Sequence, residues 1–241
     1  MQHVLIILSL LCFSGLSLAE RIDTGDAASL TRALKNSPYT SRHDRCSDLT
    51  TTETRRHIQI VQSMGRRPYD PRDYPATQAG FSRFLNDIGI EFFSAREVII
   101  ANNVSAAVRC GFSGGKLLAP RCRWLSAAAL LAATDRMRID INSTISVRNW
   151  WRPSCYNSAV GGAGSSDHIH ARALDLDFTN SRERYQAVQF ACDEFWNRGK
   201  HVQMGVGAQT LHLGFSSPRG KRCWYYRSLG TGSTSCSNPC R

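Results

Sequence analysis

Three side chains far apart in the chain, His168, Asp175 and His212, have the types and local patterns of metal ligands. From Ala173 to Phe178 polar and apolar residues alternate, the period of a half-buried strand, so Leu174, Leu176 and Phe178 share one face and Asp175 and Asp177 the other. His168 lies where the chain enters that strand. The run Thr210–Phe215 alternates in the same way, with Leu211, Leu213 and Phe215 directed to a core and His212 to the polar face. If the two runs are neighbouring strands, His212 meets Asp175. Two imidazoles and one carboxylate leave the fourth position of a tetrahedral zinc ion open to water, the arrangement of a catalytic centre. Each residue alone is an ordinary surface or core residue, and the joint pattern carries the reading.

The elements that must hold these residues are legible in outline. Phe81, Phe84, Leu85 and Ile88 recur at helical spacing and Gly89 closes the pattern. Trp124–Met137 reads as an amphipathic helix with Leu125, Ala128, Ala129, Leu131 and Ala132 inward, and Thr144–Asn149 as a strand leading into the Trp150-Trp151-Arg152 loop. Asn180-x-x-Glu183 has the form of a capping box opening a further helix. Helices alternating with few strands predict an α+β domain, a small, mainly antiparallel sheet with helices on one face.

Length and composition set the frame: 241 residues, 42% hydrophobic and 20% charged, suit a globular protein of one domain with an extension or of two small domains. Residues 1–19 are free of charge, carry the apolar run Val4–Leu11 and end in Ser17-Leu18-Ala19, the pattern of a signal peptide cleaved near Ala19. Secretion follows, extracellular or periplasmic, with no transmembrane segment expected in the mature chain. Residues 20–78 form a polar, Arg-rich N-terminal extension in which Thr50–Met64 is compatible with a helix. The site falls within 79–241, which ends in a Cys-containing tail. Eight of the nine cysteines lie beyond the signal segment, and an even number in a secreted chain predicts four disulfides, whose pairing the spacing leaves open.

Ser166-x-His168-x-x-Ala171-x-Ala173-x-Asp175 resembles the S-x-H-x-x-G-x-A-x-D signature of the zinc D-Ala-D-Ala carboxypeptidases, peptidase family M15, with Ala171 where the family usually has Gly. Trp151-Arg152-Pro153-Ser154-Cys155-Tyr156-Asn157 with Val160-Gly161-Gly162-Ala163, and Gly205-Val206-Gly207, His212 and Arg222-Cys223-Trp224, are similar to its flanking motifs in the right order. The resemblance implies the fold shared with the hedgehog signalling domain, a Zn2+ cofactor on His168, Asp175 and His212, and hydrolysis of a peptide bond in peptidoglycan stem peptides. It places Arg152 on a substrate carboxylate, which a guanidinium can grip with two parallel donors, and Ser166 beside the substrate, where the residue can equally cap the turn before His168.

The family's general base has no counterpart. Gln209, Thr210 and Leu211 precede His212 and Gly214 follows two residues later, so no acid occupies either usual place. Asp177 and His170 are the substitutes within reach in sequence. The departure sustains an alternative, a catalytically inactive zinc-binding module on the same fold that holds cell-wall or matrix material. A formal net charge of +11 adds anionic wall or matrix polymers as expected partners, whereas no nucleic-acid motif is present. A monomer is expected.

Overall fold

The two alternating runs form neighbouring strands. In the computed structural model, which describes residues 19–36, 46–226 and 232–240, Ala173–Phe178 is β2 and Thr210–Gly214 is β4, paired antiparallel with Asp175 opposite His212. β1 (Ile145–Asn149) flanks β2, β3 (Gln203–Val206) flanks β4, and β5 (Arg222–Tyr226) and β6 (Ser233–Cys236) complete the order β1-β2-β4-β3-β5-β6. Among the described strands only the β3–β5 pair is parallel. Leu174, Leu176, Leu211 and Leu213 are fully buried on one face, where helix α8 (Ser181–Ala191) packs against β2 and β4. Their neighbours in sequence leave Asp175 and His212 on the other. The architecture is α+β with a mainly antiparallel sheet, as expected. The expected signal peptide lies outside the described residues, apart from Ala19.

The remaining helices are α1 (Ala27–Asn36), α2 (Thr51–Ser63), α3 (Gln78–Ile88), α4 (Ala95–Ile99), α5 (Val104–Arg109), α6 (Trp124–Ile141) and α7 (Ser154–Ala159). Thr50 caps α2, and Gly89 closes α3 in the left-handed conformation with φ 88°. Helix α6 differs from its expected amphipathic form: every residue from Trp124 to Asp135 is buried, Ala127, Leu130 and Ala133 included. A helix apolar on all sides must be covered on all sides. Here α2 covers one side while α3 and α8 contact others, so Leu30, Leu34, Ile58 and Val61 of residues 20–78 lie in the same core as the rest of the chain.

Four disulfides join all eight cysteines beyond the signal segment: Cys46–Cys122, Cys110–Cys155, Cys192–Cys240 and Cys223–Cys236. Cys46–Cys122 ties residues 20–78 to the start of α6. A polar seam joins the same parts. Arg172, just before β2, makes a bidentate pair with Glu53 of α2 at 2.9 and 3.0 Å, and its Nη2 lies 3.2 Å from Asp48 Oδ2. Arg123 and His170 converge on the same Asp48 carboxylate. Burial opposes charge on Asp48, but the hydrogen bond from His170 and the charge of Arg123 outweigh it and hold the carboxyl well below its usual range.

His57, buried in α2 with Nε2 2.7 Å from Ser216 Oγ, adds a pH dependence to this seam. Burial, reinforced by Arg56, Arg172 and Arg123, pushes its pKa down from 6.5 to about 3. Between those values the unfolded chain binds a proton that the folded chain lacks, so stability falls as pH drops through this window. Above it His57 contributes no slope. The expected slope from this residue is up to about 1.4 kcal/mol per pH unit. Unfolding curves from pH 4 to 7 will show a shallower acid slope for His57→Gln than for the wild type, and equal slopes would remove His57 as the cause.

Candidate metal centre

Each of the three candidate ligands is delivered by a different device. Asp175 and His212 face each other across the β2–β4 register. His168 comes from the 3₁₀ turn Asp167–His170, which Ser166 caps by accepting the His168 N–H at 3.3 Å. The turn exits through Ala171 at φ 53°, a left-handed conformation that costs a residue with a Cβ roughly 1–2 kcal/mol and explains why glycine suits this place. The Ala171 carbonyl is fixed by donors from Ser126 Oγ at 2.5 Å and Trp150 Nε1 at 3.1 Å.

The result is a tight triangle. His168 Nε2 lies 3.0 Å from Asp175 Oδ1, His212 Nδ1 lies 2.9 Å from the same oxygen, and the two nitrogens are 3.1 Å apart. Ligands on a tetrahedral zinc ion with bonds of about 2.0–2.1 Å stand about 3.3 Å from one another, so the three atoms are close to the spacing one ion requires. His168 Nδ1 is 2.7 Å from the Trp150 carbonyl oxygen. A carbonyl only accepts, so Nδ1 carries the proton and Nε2 presents a lone pair to the Asp175 carboxylate. Two acceptors at 3.0 Å repel unless a cation lies between them. The donor set and its protonation therefore fit a metal ion.

The electrostatics agree. Burial holds His168 below its ordinary pKa against the pull of Asp175, which keeps the imidazole neutral and able to ligate. Burial alone would raise the pKa of Asp175, but a positive charge on the His168 side, a proton or a metal ion in its place, and the hydrogen bond from His212 hold the carboxyl well below its usual range. Trp224 backs His212 with ring centroids 4.9 Å apart. Gly205 lies between them in register, and a Cβ there would come within 2.5 Å of the indole. Gly205→Ala is therefore expected to displace Trp224, cost about 1–3 kcal/mol in stability and weaken zinc binding about tenfold. Denaturant unfolding and chelator competition measure the two effects.

The triangle opens into a cleft of about 1090 Å³ lined by Arg152, Ser166, Asp175, His212, Trp224 and Tyr226 among others. Arg152 Nη2 is 3.4 Å from Ser166 Oγ and 3.9 Å from Asp175 Oδ2, and its buried Nε has no hydrogen-bond partner among the described residues. Four of the seven residues singled out from sequence line the cleft, Asp175, His212, Arg152 and Ser166, and His168 joins two of them in the triangle. Asp177 and His170 do not line the cleft. Asp177 accepts from Arg148 Nε at 2.8 Å, and His170 pairs with Asp48 at 2.7 Å. In a 3₁₀ turn a residue two positions on is rotated by about 240°, so His170 leaves the side that His168 occupies. Among the described residues, Asp167 and Asp175 are the carboxylates of the lining, and Asp167 Oδ2 already accepts from Arg222 at 2.6 Å.

Sequence reasoning missed Tyr226, Arg148 and Arg219, which also line the cleft. Tyr226 had a signal, since it stands two residues after Trp224 on one strand face. Partial burial and the charge of Asp175 push its phenol up to about 12, so it keeps its proton at neutral pH.

Residues 101–208 match the Peptidase M15 family model. The matched M15 segment is under half of the chain, includes Arg152, Ser166, His168 and Asp175, and stops four residues before His212. It supports the M15 peptidase family, whose members are zinc-dependent in general, without choosing a subfamily. No curated protein and no solved structure matches the chain.

Proposed function

We propose that the chain is a secreted zinc metallopeptidase that hydrolyses a peptide bond in peptidoglycan stem peptides, as a D-Ala-D-Ala carboxypeptidase or a related endopeptidase. The carrying observation is the triangle of His168, Asp175 and His212 at a cleft that also presents Arg152. The M15 match supports the reaction class. Four disulfides suit an oxidising compartment, and among the described residues no helix is long and apolar enough to cross a membrane.

Zinc bound at the triangle would polarise a scissile carbonyl and lower the pKa of a water molecule. His168 is held for this by its hydrogen bond to Trp150, and Asp175 supplies a negative charge that stays ionised throughout the neutral range. Arg152 lines the cleft with its Nη2 only 3.4 and 3.9 Å from Ser166 and Asp175, long contacts that leave its Nη donors for a substrate carboxylate to grip. Ser166 Oγ, 3.4 Å from Arg152 Nη2, limits where that guanidinium can swing. Tyr226 keeps an O–H donor in the cleft for a carbonyl oxygen as charge develops on it.

One observation favours the second reading, a zinc-binding module that holds wall peptide without cutting it. Among the described residues no carboxylate of the cleft lining is left to accept a proton, because Asp175 belongs to the triangle and Asp167 is paired with Arg222. Mass spectrometry of stem peptides incubated with the zinc-loaded protein separates the readings, with His212→Ala as control. Loss of a terminal D-Ala or a defined internal cut, absent in the control, is the expected result. Intact peptides with stoichiometric zinc would reject the peptidase and leave the binding module.

A further inference from the structure

Four arginines line the cleft, Arg148, Arg152, Arg219 and Arg222, against two carboxylates, Asp167 and Asp175. They are not equivalent. Arg148 is matched by Asp177 at 2.8 Å, outside the lining. Arg152 serves the carboxylate position already described. The other two form a separate group on one acid: Arg222 Nη2 is 2.6 Å from Asp167 Oδ2, and Arg219 Nη2 is 3.6 Å from the same oxygen. Asp167 is buried, so Arg222 is needed to neutralise it. Arg219 is then surplus. Its Nη1 and Nη2 reach Ser165 Oγ and O at 3.3 and 2.6 Å, neutral groups that hold the guanidinium in place without cancelling its charge. The buried Nε of Arg222 also has no hydrogen-bond partner among the described residues.

We infer that Arg219, backed by Arg222, forms a second anion subsite, so that the cleft takes peptides carrying one carboxylate for Arg152 and a further carboxylate for Arg219. This rests on the peptidase reading for the first carboxylate and deepens it by naming a di-acidic substrate class. The spacing suits one ligand. Arg219 is anchored at Ser165 and Arg152 contacts Ser166, adjacent residues whose Cα atoms are about 3.8 Å apart, so the two guanidiniums flank one short stretch of chain. A single extended peptide lying over Ser165–Ser166 can meet both. Arginine rather than lysine suits the task, because its fork of five donors can hold protein acceptors and still offer parallel N–H groups to a ligand.

The test uses two stem peptides that differ in one place, an internal carboxylate that is free in one and a carboxamide in the other. Cleavage rates and, independently, equilibrium binding by calorimetry are measured on the zinc-loaded protein. The wild type is expected to favour the free acid about tenfold or more in kcat/KM and in Kd. Arg219→Gln is expected to bring both ratios close to one, and Arg219→Glu to invert them. Arg219 is 42% exposed, so neither change empties the core. Equal cleavage and equal binding of the two peptides by the wild type would overturn the subsite while the peptidase reading stood. A tenfold binding ratio without cleavage of either peptide would uphold the subsite and reject the peptidase. A wild-type preference that survives in Arg219→Glu would assign it to another residue and overturn the inference.

Discussion

Asp175→Ala is expected to lower zinc affinity by well over a hundredfold and to abolish peptide cleavage. Asp175 Oδ1 lies within 3.0 Å of both His168 Nε2 and His212 Nδ1, and it brings the negative charge of the set. Changing a group that merely orients a zinc ligand costs about 10–100-fold, so deleting a ligand must cost more. The change also leaves two imidazole nitrogens 3.1 Å apart with no anion between them, which weakens the attraction for a dication further. Competition with a chelator of known affinity gives the first effect, and mass spectrometry of stem peptides the second. Zinc affinity within a few-fold of wild type would remove Asp175 from the ligand set.

The largest effect on stability is expected from Arg172→Ala. Arg172 is 7% exposed and its partner Glu53 is 4% exposed, so the substitution strands a carboxylate in the core. Breaking a buried pair from one side costs about 3–5 kcal/mol, which for a chain of this length lowers Tm by about 6–20 °C. The loss has a direction in space. Arg172 directly precedes β2, and Glu53 lies on α2, so the pair holds residues 20–78 against the strand that carries Asp175. Zinc affinity is expected to fall along with stability. Replacing both partners, Glu53→Gln with Arg172→Met, removes the stranded charge and should recover much of the lost Tm. A single variant that melts with the wild type would show the pair to be dispensable.

The part of the site that strand periodicity controls is legible in the amino-acid sequence alone. Alternation over Ala173–Phe178 and Thr210–Phe215 puts Asp175 and His212 on one face, and the observed register joins them. Periodicity also reads Asp177 onto that face, where it is found, but a residue two positions along a strand is displaced by nearly 7 Å, and Arg148 takes it. His170 is illegible for a different reason. His168-x-His170 would share a face in a strand, but it falls in a 3₁₀ turn that sends the two rings to different partners, Trp150 and Asp48. Burial of α6 on every side does not follow from Trp124–Met137 alone, because it depends on α2 arriving from more than 60 residues upstream. Disulfide pairing depends on the same long-range packing, as Cys46–Cys122 shows across 76 residues. Ala171 shows the converse: the motif's preference for glycine is explained once the φ of 53° is seen, and this chain bears the cost of a Cβ there.

X-ray absorption at the zinc edge, on protein loaded with one equivalent of the metal, tests the proposed ligand set most directly. The expected spectrum has two imidazole nitrogens and a carboxylate oxygen at about 2.0–2.2 Å, with one further light ligand, and loses one imidazole contribution in His212→Ala. A spectrum of hydrated zinc, or one with sulfur at about 2.3 Å, would contradict it.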